Sequence, residues 1–85
     1  MTYEDRSKLT DKTLDIKRAI DSIREELEAV DLYYQRADAC TDPELKEILL
    51  HNAYEEFEHA SMLMEWLRRN DVQFGHEIKD YLFKS

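Results

Sequence analysis

Glu56 and His59 stand three residues apart in the stretch "EEFEHA", residues 55 to 60. At that spacing two side chains leave an α-helix on one face. Both fall where a helical pattern asks for an apolar residue. The stripe reads Leu45, Leu49, Asn52, Glu56, His59, Leu63, Trp66, in steps of 4, 3, 4, 3, 4 and 3, with Ile48 and Leu67 flanking. A carboxylate taken out of water without compensation costs several kcal/mol. Glu26 offers a second carboxylate, three residues after Ile23 and four before Val30, at the border of the first apolar stripe. Two carboxylates side by side resist ionising together. A cation removes both penalties, and carboxylate oxygens with an imidazole nitrogen suit iron, manganese or zinc. On its own an E-x-x-H pair in a Glu-rich chain is more often a solvated helix-surface contact worth a few tenths of a kcal/mol. Its place on the apolar stripe, with Glu26 at matching height, points to a metal instead.

Two long helices must bring these residues together. The first is expected over about residues 11–40, with Thr10 or Asp11 as N-cap, after ten polar residues expected to fray. Its apolar positions are Leu14, Ile16, Ile20, Ile23, Leu27, Val30 and Tyr34, stepping 4, 3, 4, 3 and 4 from Ile16 onward. "CTDPEL" ends it: Asp42 before Pro43 reads as N-cap and first helical residue, and Thr41 with Glu44 as a capping box. The second helix is expected over about 43–70, closed by "RRND" with basic residues in its last turn. The loop is short, so the helices form an antiparallel hairpin, which sets position 26 opposite roughly position 56. Gly75 is expected to separate a short amphipathic third helix, about 74–83. The expected fold is all-α, one half-bundle domain over residues 1–85.

Composition narrows the function. The chain has 85 residues, 20 acidic against 12 basic, for a net charge of −8. Phosphate neutralisation needs clustered Lys and Arg, so nucleic acid is excluded as a partner, and an anionic membrane surface with it. Divalent cations are favoured. The N-terminus "MTYEDRSKLT" has no apolar signal region, and no apolar run is long enough to span a bilayer. Cys40 is the only cysteine, so no internal disulfide forms, which fits a reducing cytoplasm. A chain this short is marginally stable alone. It also carries half a ligand set: di-iron carboxylate bundles use two Glu and two Glu-x-x-His from four helices, and this chain supplies one of each. Two copies about a two-fold axis complete the four-helix bundle. Four carboxylates then balance two divalent ions.

The stretches "EELEAVDLYYQRADACTDPEL", "HNAYEEFEHA" and "MEWLRRND", followed by "YLF", resemble the encapsulated ferritins, ferritin-like cargo proteins of encapsulin nanocompartments. The resemblance covers about residues 25 to 83. It implies a ferroxidase that oxidises Fe(II) to Fe(III) with dioxygen at a di-iron centre between two chains, two Fe per dimer. Carried over by position, the ligands are Glu26, Glu56 and His59, with Tyr33 a nearby aromatic. Glu25 and Glu28 match one position of an acidic metal-access path, and His51, Glu55 and Glu58 another, where calcium or other divalent cations bind. The same residues also read as an ordinary solvated face, with His51 paired to Glu47 or Glu55. The resemblance further implies dimers assembled into a ring-shaped decamer and enclosed by an encapsulin shell protein in the cytoplasm. Leu32 departs from the family, which is expected to carry Trp there. Family members usually continue through a tail to a targeting peptide or a shell fusion, whereas this sequence stops at "YLFKS", so encapsulation rests on the resemblance alone. The alternatives are a rubrerythrin-like di-iron peroxidase, disfavoured without a Cys-rich electron-transfer domain, and a non-catalytic helical-hairpin module in which Glu56 and His59 pair internally.

Overall fold

Three helices follow one 3-10 turn at Arg6–Lys8: α1 (Asp11–Ala39), α2 (Pro43–Asn70) and α3 (Val72–Tyr81). The computed structural model describes residues 1–84, and no strand occurs among them. Each helix starts on a side-chain cap. The Thr10 hydroxyl accepts from the Thr13 N–H at 3.1 Å, and the Asp42 carboxylate accepts from the Leu45 N–H at 3.4 Å. With Asp42 as N-cap and Pro43 opening α2, the third helical residue is Leu45. The expected Thr41–Glu44 capping box is therefore out of register. Before α1, the Asp5 carboxylate caps the 3-10 turn through the Ser7 N–H and hydroxyl, at 3.0 and 2.8 Å.

The junction of α2 and α3 differs from the sequence expectation. Asp71 serves both helices: its N–H donates to the Leu67 carbonyl at 2.9 Å, and its carboxylate accepts from the Phe74 N–H at 2.8 Å. Helix α3 thus begins at Val72, and Gly75 lies inside it rather than before it. The glycine answers a steric demand. A Cβ at position 75 would sit 2.8 Å from the Arg68 carbonyl oxygen, closer than real Cβ contacts allow. The last residues also differ, because α3 ends at Tyr81 and Phe83 takes a left-handed φ of 62°.

Helices α1 and α2 form the hairpin, and α3 packs against α2. Lys12 fastens the open end, donating to Asn70 at 3.2 Å with its ammonium 5.6 Å from the Trp66 ring centroid. The line along which α1 and α2 touch is built of small residues. Its buried members are Ala19, Val30 and Ala37 from α1 and Ala53, Ala60 and Leu67 from α2. Among the described residues no large side chain is fully buried. Ile20, Leu27, Tyr34, Leu45, Ile48, Tyr54, Phe57 and Met62 are all exposed. The stripes expected to form the seam therefore mostly flank it, because two helices in one layer can bury only the narrow line of their contact. The molecule measures 50 × 37 × 15 Å, and its radius of gyration is 16.6 Å. About 12 Å is ordinary for a compact domain of this length.

Candidate metal centre

Glu26 projects from the middle of α1, and Glu56 and His59 from the middle of α2. The hairpin brings one donor atom of each within 4.8 Å of the others. His59 Nδ1 stands 3.4 Å from Glu26 Oε2 and 3.5 Å from Glu56 Oε2. The two Glu side chains are each 24% exposed and His59 is 44% exposed, so the group is half-buried and open on one side. Glu26 Oε2 is buried without a hydrogen-bond partner. An orphaned carboxylate oxygen is costly, and a coordinated cation would satisfy it.

The spacing fits such an ion. Nitrogen and oxygen donors sit about 2.1 Å from a transition-metal ion, so two donors at a tetrahedral angle lie about 3.4 Å apart. Both His59–carboxylate separations match that value. One chain supplies three donors, fewer than the four to six such ions take (about four for zinc), so the remaining positions stay open.

The other residues considered lie elsewhere. Tyr33 is half-buried and stacks under the Arg36 guanidinium, 6.0 Å from its ring centroid. Its neighbour Tyr34 meets Tyr54 edge-on at 6.5 Å and Phe57 at 6.1 Å. His51 Nε2 pairs with Glu55 Oε1 at 2.7 Å on an exposed surface, leaving Glu47 aside. Glu25, Glu28 and Glu58 are exposed, and within one chain the structure does not gather them with His51 and Glu55 into a donor group. A group that sequence reasoning missed lies on α3: His76 Nε2 is 3.1 Å from Asp80 and 3.8 Å from Glu77. Its signal is a His and an Asp four apart. All three residues are exposed, and such pairs are worth a few tenths of a kcal/mol.

A helical hairpin with two carboxylates and an imidazole on its open face defines a class, the ferritin-like half-bundle. The comparisons place the chain within it. The EncFtn-like family matches residues 1–85, and the chain belongs to that family. It is 55% identical over 82 residues to an encapsulated ferritin-like protein of Rhodospirillum rubrum, covering 96% of this chain and 59% of that protein. It is 47% identical over 81 residues to a ferritin-like protein of Thermotoga maritima, covering 95% of this chain and 71% of that one. The chain thus spans 59 to 71% of the curated relatives it matches. The crystal structure of protein ne0167 from Nitrosomonas europaea superposes with a TM-score of 0.93 at 60% identity, covering 99% of this chain and 92% of that one.

Proposed function

We propose that two copies of this chain form a ferroxidase centre, with Fe(II) as substrate and dioxygen as oxidant. The observation that carries the reading is the convergence of Glu26, Glu56 and His59, with a buried Glu26 oxygen that makes no hydrogen bond among the described residues. Two chains related by a two-fold axis would bring four carboxylates and two imidazoles to one place. Two ferrous ions would then leave the site near neutral, removing the like-charge penalty. The apolar face around Leu27, Tyr34, Tyr54 and Phe57 supports the pairing, since a second hairpin laid on it would bury what one hairpin exposes.

The protein's part is binding, orientation and charge balance. Glu26 and Glu56 hold the ions, and His59 completes the set from between them. Tyr33 lies outside the donor group of one chain and is assigned to the surroundings of the paired centre by position alone. The iron supplies the redox chemistry, each ion giving one electron toward dioxygen. Glu25, Glu28, His51, Glu55 and Glu58 act as an acidic approach that concentrates Fe(II) and accepts other divalent cations, calcium among them. The name of the Rhodospirillum rubrum relative supports an encapsulated role, in which pairs build a ring-shaped decamer that passes Fe(III) into an encapsulin compartment for storage.

The test is Fe(II) oxidation followed as ferric absorbance in air. Glu56→Ala and His59→Ala should each lower the rate at least about 100-fold, because even outer partners of metal ligands account for 10–100-fold. Full activity in both variants would overturn the assignment.

A further inference from the structure

Glu26 holds a place on α1 where its fellows are small and apolar. Ala19, Glu26, Val30 and Ala37 follow one another at steps of 7, 4 and 7, so all four lie on the side of α1 that meets α2. The facing line on α2 runs Ala53, Glu56, Ala60 and Leu67, at steps of 3, 4 and 7. Glu56 thus stands between two alanines. They are the most buried residues of α2, Ala53 at 0% and Ala60 at 1% exposed. A leucine at either position would bury more apolar surface, so the alanines give up hydrophobic stabilisation and gain closeness of the two helices.

The donor group depends on that closeness. Glu56 and His59 share α2, so their separation of 3.5 Å is set inside one helix. Glu26 reaches them from α1, so its 3.4 Å to His59 is set by how near the two helix axes lie. Packed helix axes lie about 8–10 Å apart, and small side chains at the contact give the short end of that range. A second observation marks the same place. Glu26 Oε2, the oxygen that faces His59, is the buried atom without a hydrogen-bond partner. A bulkier seam would draw this oxygen away from the α2 donors and open it to water. Donors about 2.1 Å from a transition-metal ion lie about 3.4 Å apart. Widening the seam therefore moves Glu26 out of range and leaves Glu56 and His59 as they are.

We propose that Ala53 and Ala60 are positioning residues: they hold α1 and α2 at alanine-contact distance, which sets the gap between Glu26 and the α2 ligands and so the size of ion the centre accepts. The inference rests on the ligand roles proposed above. Its test is anaerobic titration of the full metal-stripped chain with Co(II) and with the larger Mn(II). Binding is read by calorimetry and by the visible bands of bound Co(II). Ala53→Val and Ala60→Val should bind Co(II) at least about tenfold more weakly, with shifted bands. Their Mn(II) affinity should fall less. Ala37→Val adds the same bulk to the seam at a buried residue eleven positions from Glu26, and should bind Co(II) like wild type. Ala60→Gly should melt lower yet keep its Co(II) affinity, because glycine weakens the helix without widening the seam. That variant keeps the test open even if valine unfolds the hairpin. If Ala37→Val loses as much affinity as the other two, the loss is a general loosening of the hairpin and the inference falls. It falls too if Ala60→Gly loses Co(II) binding, or if Co(II) and Mn(II) affinities drop equally in the valine variants. Glu56→Ala, run alongside, separates the two claims. If it abolishes Co(II) binding while the valine variants bind like wild type, the alanines have no positioning role and the centre stands. If Glu56→Ala itself binds like wild type, both claims fall.

Discussion

At the residue scale, the proposed centre is a place where stability has been given up. Glu26 keeps a buried, unpartnered oxygen beside Glu56 and His59. Replacing Glu26 with Leu should raise the melting temperature of the metal-free protein, by about 1 kcal/mol of stability, because an unsatisfied buried acceptor disappears. The same variant should lose Fe(II) binding in calorimetry. A variant that melts lower and still binds iron would contradict the reading. Elsewhere carboxylates contribute in the ordinary way. Hydrogen bonds from Lys17, then from Arg24, hold the Asp21 carboxyl below its usual 3.8. Arg68 does the same for Glu65. A carboxylate that resists protonation only when folded stabilises the protein above its unfolded value, and that help is lost as pH falls through the lower folded value. Melting temperature should therefore drop as pH falls below about 4, and Asp21→Asn should make the drop shallower. The grouping was legible in the sequence because Glu56 and His59 interrupt an apolar stripe and Glu26 borders the facing one. The pairing of His51 with Glu55 rather than Glu47 was not, since both spacings sit on one exposed face.

At the element scale, chemistry written locally was readable and chemistry written across elements was not. Asp42–Pro43 fixes the start of α2, and Thr10 that of α1, through bonds to the next few residues. Gly75 looked like a break between helices because glycine often is one. Its reason lies in the Arg68 carbonyl of the preceding helix, which no local pattern displays. Gly75→Ala should push α3 off the end of α2 and cost about 1–3 kcal/mol, the usual range for overpacking. Hydrogen exchange should show α3 losing protection first. Unchanged α3 protection would mean that the close approach is easily relieved. The seam was partly readable too. Ala53, Ala60 and Leu67 recur every seven residues, two helical turns apart. The larger Ile and Leu side chains drew attention to the flanking stripes instead.

At the scale of the whole molecule, the fold class was legible and its incompleteness even more so. One layer of two helices, 15 Å thick, leaves many of its large apolar side chains in water and its candidate metal donors open to one side. Both features ask for a second layer, and in the proposed pair a second copy would supply apolar cover and ligands together. Any cover for that face lies outside the single chain, whose pattern can only imply it. The most direct test is native mass spectrometry of the metal-stripped protein before and after anaerobic Fe(II) addition. The proposal expects two irons per pair of chains, with conversion to even-numbered and larger assemblies. No bound iron and an unchanged mass would contradict it, and would leave Glu26, Glu56 and His59 as an internally paired cluster on a structural hairpin.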